Sequence, residues 1–312
     1  MTSTREIIFF GSPAFAVRSL EEILNSGRRV PLLVTQTDKP AGRGRRIQAS
    51  EAKEFARTHR IRVLQPEKLK DSGFQEELRR AKAGLFVVAA YGRILPESLL
   101  KIPDLVLNVH ASLLPRWRGA SPIQHAILHG DAKTGVSIMR LVPELDAGDV
   151  LLQAETRIES GETAGELEAR LASIGGHALL EALDRIDRGE ASFSPQEASR
   201  VTWAPPILAA EGKVDWSQRA VDVHRKILAF NPHPGAFALD EGERIKLHRS
   251  RPAEAPAPLG KPGELLVGKG RLWVSCRDAW LEILELQREG KKVQTSAVFL
   301  SGYRRTGSVR WI

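Results

Sequence analysis

Residues 85–90 read Leu-Phe-Val-Val-Ala-Ala, six apolar positions in a row, and Leu105, Val106 and Leu107 open a second such run. Side chains of a strand alternate between its two faces, so a strand apolar throughout must be buried on both. That is the position of a central strand in a parallel sheet covered by helices. Residues 7–10, 30–35, 62–64, 136–141 and 150–156 read as further strands. Between them, residues 14–25 place Phe15, Val17, Leu20, Ile23 and Leu24 at helical spacing, and Gly27 follows as a stop. Residues 50–59, with Ser50 as N-cap, and residues 72–82 and 163–186 read as helices. Strands alternating with helices predict βαβ units and an α/β fold built on a doubly wound, mostly parallel sheet.

A chain of 312 residues has room for two domains. From residue 191 the periodicity stops, and Ser192, Ser194, Pro195, Pro205 and Pro206 mark a linker over 191–207. Beyond it, residues 220–229 read as a helix. Short runs at 245–248, 263–267, 272–276 and 281–286 are separated by Pro and Gly, a pattern that predicts a small β-barrel or sandwich. The Pro- and Ala-rich residues 251–262 are expected to form a loop. The expected organisation is therefore a domain over 1–190, a linker over 191–207 and a second domain over 208–312.

The net charge is +8. Residues 191–312 hold 19 basic and 13 acidic side chains, so the second domain is the basic one. Excess positive charge attracts polyanions, although a mildly basic surface also arises with no such role. Cys276 is the only cysteine, which excludes an intrachain disulfide and a cysteine zinc cluster. No apolar run approaches the ~18 residues of a membrane span, and the first residues lack the pattern of a signal peptide. A cytoplasmic protein with no membrane partner is expected.

The second apolar run is interrupted. Asn108 and His110 fall on the same face as Val106, near the strand's carboxyl end, where open α/β sheets bind ligands. Two readings are open from these residues: a binding pair, or a polar pair satisfied by loop backbone. Leu145-Asp146-Ala147-Gly148 lies between two further strands, and Asp146 is either an ordinary turn residue or the orienter of a nearby imidazole. Asn, His and Asp together supply an oxyanion donor, an acid–base group and its orienter. They include no obvious nucleophile, so in a catalytic set the nucleophile arrives with the substrate.

Asn108-x-His110, Ser112-Leu113-Leu114-Pro115, Arg116-Trp117-Arg118-Gly119 and Leu145-Asp146-Ala147-Gly148 closely resemble the methionyl-tRNA formyltransferases. The resemblance covers almost the whole chain. It includes Pro40-Ala41-Gly42-Arg43-Gly44, Tyr91-Gly92 with Ile94-Leu95-Pro96, Val214-Asp215-Trp216, and Gly290-Lys291-Lys292. It implies a Rossmann-like formyltransferase domain with an OB-like barrel behind it. The activity implied is transfer of a formyl group from 10-formyltetrahydrofolate to the α-amino group of methionine on initiator methionyl-tRNA. By resemblance the enzyme is a monomer that needs no metal. Asn108, His110 and Asp146 match the catalytic trio. Ser112, Leu113, Leu114, Pro115, Tyr91, Gly92, Ile94 and Leu95 match the folate-binding stretches. Lys39, Arg43, Arg45 and Arg46 match a basic loop that enters the tRNA acceptor stem.

In the C-terminal domain Lys213, Arg244, Lys246, Lys291, Lys292, Arg304 and Arg305 are candidate tRNA contacts or plain solvated surface. Arg93 stands where an apolar residue is usual. Two rival readings remain: a related formyl-folate enzyme acting on a sugar amine or purine precursor, and a non-enzymatic RNA-binding protein. The basic loop speaks against the first and the intact trio against the second.

Overall fold

The computed structural model describes residues 6–41, 46–253, 257–303 and 309–312, with backbone alone at 39–41 and 46. Arg43, Arg45, Arg304 and Arg305, and the side chains of Lys39 and Arg46, thus lie outside the described residues. The chain divides into two compact units. One comprises Met1–Pro122, Lys133–Arg157 and Glu168–Ala204; the other comprises Ile123–Ala132, Ile158–Leu167 and Pro205–Ile312.

The chain begins with β1 (Ile7–Gly11), α1 (Ala14–Asn25), β2 (Leu32–Val34), β3 (Lys39–Ala41), β4 (Arg46–Gln48), α2 (Glu51–Thr58) and β5 (Arg62–Leu64). It continues through α3 (Ser72–Arg80), β6 (Leu85–Ala89), α4 (Glu97–Leu100), β7 (Leu105–His110) and α5 (Pro122–His129). Next come β8 (Lys133–Arg140), β9 (Val150–Arg157) and α6 (Ala164–Asp187). The first unit's sheet has the order β5-β2-β1-β6-β7-β8-β9. The pairs from β5 to β7 are parallel, whereas β7–β8 and β8–β9 are antiparallel.

Every residue of β1 and β6 is buried, as the continuous apolar runs predict. Phe10, Phe86, Val88 and Leu99 share one core cluster with Phe74 and Leu78 of α3. Helix α2 starts where the sequence places its cap: the Ser50 hydroxyl accepts the Lys53 N–H. The parallel order reverses at β1, flanked by β2 and β6, and the crevice beyond such a reversal is where this architecture holds ligands. Across it the Gln36 side chain donates to the Tyr91 carbonyl at 2.7 Å.

The second unit holds α7 (Ala220–Ala229), β10 (Ala236–Asp240), β11 (Glu243–Ala253), β12 (Leu265–Gly268), β13 (Arg271–Ser275), β14 (Trp280–Arg288), β15 (Gln294–Thr295) and α8 (Ser296–Ser301). Its antiparallel sheet runs β10-β11-β14-β13-β12, with β15 on β14. Two features differ from the sequence reading. Strand β11 continues into the expected loop: Arg251, Pro252 and Ala253 pair with Glu282, Leu281 and Trp280, after register shifts near Arg249. Bulges of this kind bend a strand and re-aim its end.

The barrel is also not closed by its own outer strands. Among the described residues, β10 and β12 do not pair with each other. The chain's last residues bridge them instead. Leu239 of β10 exchanges both backbone hydrogen bonds with Ile312, while Leu265 donates to the Val309 carbonyl and Trp311 to that of Gly263. Trp311 is buried beside Phe299 of α8. Among the described residues no helix is long and apolar enough to cross a membrane.

Candidate active site

Strand β7 lies between β6 and β8, so its carboxyl end opens at the centre of the sheet. Val106 is buried, and Asn108 and His110 follow it on the same face. His110 is 6% exposed. Its Nε2 lies 2.9 Å from the Trp117 carbonyl oxygen. A carbonyl only accepts, so Nε2 carries the hydrogen. The other ring nitrogen, Nδ1, faces Asp146 Oδ2 at 3.7 Å. The Asn108 amide is half-buried and makes no hydrogen bond within the described residues. Its donor is uncommitted.

Asp146 reaches the imidazole from the turn between β8 and β9. Its backbone is left-handed, with φ of 49°, an uncommon conformation for a residue with a side chain. Its carboxylate, 9% exposed, also accepts the Gly119 N–H at 2.9 Å. Two glycines permit this approach. A Cβ on Gly148 would stand 1.9 Å from the Arg140 carbonyl, and one on Gly119 would stand 2.5 Å from that of Ala204.

The loop after His110 is fixed from beneath. Ser112 Oγ donates to the Arg116 carbonyl at 2.6 Å. Ser137 Oγ donates to the Ser112 carbonyl and accepts the Leu114 N–H. Gln153 donates to the Leu114 carbonyl at 2.8 Å. From the other side, residues 193–204 cross the site. The Trp117 N–H donates to the Thr202 hydroxyl, Arg118 N–H to the Thr202 carbonyl, and Ala204 N–H to the Arg118 carbonyl. Ser194 exchanges backbone hydrogen bonds with Val150 at the start of β9. Gln196 spans the two loops: its amide donates to the Asp146 and Gly148 carbonyls and accepts from Arg118.

The model of the formyl transferase family matches residues 5–183, and that of the formyl transferase C-terminal domain matches 206–304. The methionyl-tRNA formyltransferase of Dechloromonas aromatica is 43% identical over 300 residues, 96% of each chain. That of Myxococcus xanthus is 43% identical over 304 residues, 97% of this chain and 96% of its own. This chain belongs to the methionyl-tRNA formyltransferase family. Two solved structures share the fold at lower identity. HypX from Aquifex aeolicus, in complex with tetrahydrofolic acid, aligns with a TM-score of 0.68 at 21% identity over 98% of this chain and 51% of its own. WlaRD, a sugar 3N-formyl transferase crystallised with dTDP and 5-N-formyl-THF, aligns at 0.69 and 19% identity over 93% of this chain and all of its own.

The residues matched to folate binding fall into two groups. Ser112, Leu113, Leu114 and Pro115 form the stapled loop beside His110. Ser112 and Leu114 are buried, with their main-chain groups taken by Ser137 and Gln153, and only Leu113 and Pro115 are half-buried. Tyr91, Gly92, Ile94 and Leu95 follow β6. The Tyr91 ring sits in the core, edge-on to Phe10, and Leu95 is buried with it. Gly92 and Ile94 are exposed, Ile94 at 77%, an apolar side chain presented at the mouth of the crevice. Arg93 donates to the carbonyls of Pro66 and Glu67, so its charge is tied to that loop.

The basic insertion forms a hairpin, β3 pairing antiparallel with β4. Asp38 at its entrance accepts from Lys53 at 2.6 Å and from Gln65 at 2.7 Å. These partners hold the Asp38 carboxyl below the usual carboxylate range, Lys53 first. In the second unit the Arg244 guanidinium lies over the Phe237 ring. Lys213, Lys291 and Lys292 are exposed there and Lys246 is half-buried.

Sequence reasoning did not single out Gln196, Thr202 or Gly119. Gln196 and Thr202 lie in the segment read as linker, where hydrogen bonding of irregular backbone leaves no periodic signal. Gly119 stood inside the string that carried the resemblance, with nothing to set it apart from its neighbours.

Proposed function

We propose that this chain transfers the formyl group of 10-formyltetrahydrofolate to the α-amino group of methionine on initiator methionyl-tRNA. The observation that carries the reading is the convergence of Asn108, His110 and Asp146 at the carboxyl end of β7, with no nucleophilic side chain among them. The tRNA's own amine then attacks. It bonds to the formyl carbon, the bond from that carbon to folate N10 breaks, and the proton lost by the amine goes to N10.

The geometry supports a role for each. The Asn108 amide donates to the formyl oxygen as it gains negative charge. Such a donor is worth about 10²–10³ in rate. His110 moves the amine's proton toward N10. Positioned acid–base catalysis adds roughly 10²–10⁴-fold. Asp146 fixes the ring. The exposed Ile94 and Gly92, with the half-buried Leu113 and Pro115, fit a flat heteroaromatic ring. The basic insertion, with Lys39, Arg43, Arg45 and Arg46, and the basic residues of the C-terminal domain hold the tRNA. The enzyme acts in the cytoplasm as a monomer, with residues 1–190 as catalytic domain, 191–207 as linker and 208–312 as tRNA-binding domain.

The test is a transfer assay with 10-formyltetrahydrofolate and either charged initiator tRNA or a nucleotide amino-sugar. Formylation of the tRNA is expected. No transfer to tRNA, with efficient transfer to the sugar amine, contradicts the reading.

A further inference from the structure

We infer that Gln196 is a positioning residue for the Asp146 carboxylate, and through it for His110. A primary amide offers two N–H donors and an oxygen with two lone pairs. Gln196 uses all four. Its Nε2 donates to the Asp146 carbonyl at 2.8 Å and to the Gly148 carbonyl at 2.7 Å. Its Oε1 accepts from Arg118 Nε at 3.0 Å and from the guanidinium's terminal nitrogen at 2.8 Å.

These bonds close a ring around the site. Arg118 is bound to Gln196 through its side chain. The next residue, Gly119, donates its N–H to Asp146 Oδ2. Gln196 returns to the carbonyl of Asp146 itself. The carboxylate and the peptide of one residue are thus held by the same bracket. Asp146 needs it: a left-handed φ on a residue with a Cβ persists only where its surroundings over-determine it. Gln196 is itself anchored on both flanks, by the Ser194–Val150 pair before it and by the Thr202 and Ala204 bonds to Trp117 and Arg118 after it. The segment that connects the catalytic sheet to the rest of the chain therefore takes part in setting the distance between Asp146 and His110.

The inference rests on the reading of Asp146 as the partner of His110. The test uses the full-length enzyme with 10-formyltetrahydrofolate and charged initiator tRNA. Gln196→Glu keeps the size and the acceptor for Arg118 but cannot donate to the two carbonyls. Gln196→Ala, which adds no charge, serves beside it. In both variants kcat falls about tenfold while both KM values stay within about twofold, since an error of ~1 Å at the reacting groups costs up to about 10². In an Asp146→Asn background the same Gln196 substitutions cost less than about twofold more, because groups acting as one unit are not additive.

Equal losses in both backgrounds, or unchanged kcat in both Gln196 variants, overturn the inference. If Asp146→Asn alone keeps full turnover, the reading of Asp146 fails and the inference goes with it. A strong Asp146→Asn defect beside silent Gln196 variants overturns the inference alone.

Discussion

Asp146 Oδ2 stands 3.7 Å from His110 Nδ1 and accepts the Gly119 N–H at 2.9 Å. One carboxylate oxygen thus ties the imidazole at the end of β7 to the loop that follows it. Replacing Asp146 with Asn keeps the shape and an acceptor for Gly119, and removes the charge that faces the ring. Turnover is expected to fall about 10²-fold or more, the scale of a lost acid–base arrangement, with folate affinity changed less than about threefold. Steady-state kinetics with equilibrium binding of the folate separates the two effects. Turnover near the parent's means Asp146 has no such role.

Asn108 differs in having no hydrogen-bond partner to lose among the described residues. Asn108→Ala therefore leaves stability almost unchanged and lowers kcat by about 10²–10³, the cost of one oxyanion donor. Thermal unfolding and kcat are measured together. A variant that loses stability in step with its turnover contradicts an uncommitted donor.

The C-terminal unit depends on the residues that bridge its outer strands. Trp311 is 1% exposed, and the backbone beside it joins β10 to β12. Trp311→Ala is expected to cost about 3–5 kcal/mol, the usual range for emptying a buried aromatic site. Denaturant unfolding checks this. A loss under about 1 kcal/mol would mean that the tail does not hold the sheet together.

Glu282 supplies a pH signature in the same sheet. Its carboxylate, 5% exposed, sits between Arg271 and Arg251, each at 2.7 Å. Arg271 foremost, then Arg251, holds its carboxyl below the usual range against the opposing effect of burial. A folded-state value below the unfolded one gives stability that is complete above the ordinary glutamate value, about 4.3, and is lost as pH falls from there through the folded value. Glu282→Gln is therefore less stable than the parent at neutral pH, and the difference shrinks as pH falls below the ordinary glutamate value. A difference that does not shrink on acidification rules out the charge as its source.

The basic hairpin makes a prediction about salt. Arg43→Ala should raise KM for tRNA more than KM for folate, and should flatten the dependence of tRNA binding on log salt by about 0.7–0.9 if one phosphate contact is lost. Equal effects on both substrates place the role of Arg43 elsewhere.

The parts of the molecule legible from sequence are those with a repeating physical signal. Continuous apolar runs announced β6 and β7 because both faces of a central strand must be buried. Spacing announced α1, and a hydroxyl before an amphipathic run announced the Ser50 cap. Strand β10 and helices α4 and α5 escaped notice because four to eight residues beside Pro or Gly leave too little periodicity. The end of β11 was hidden by Pro252, which reads as loop yet is paired with Leu281 beyond a register shift. The polar pair on β7 was visible as an interruption. The way Asp146 reaches His110 was not, because it depends on a left-handed turn, two close backbone approaches and an irregular strap through Gln196. The strap through Gln196 and the approach of Gly119 to Ala204 join residues far apart in the chain, and the turn itself leaves no repeating pattern.

The most direct test is the single-turnover rate of formyl transfer with enzyme in excess over charged initiator tRNA and 10-formyltetrahydrofolate saturating, comparing the parent with His110→Ala. The expected result is a drop of about 10²-fold or more in the chemical step, with folate affinity kept within about threefold. A His110→Ala enzyme that transfers formyl within about threefold of the parent rate contradicts the account.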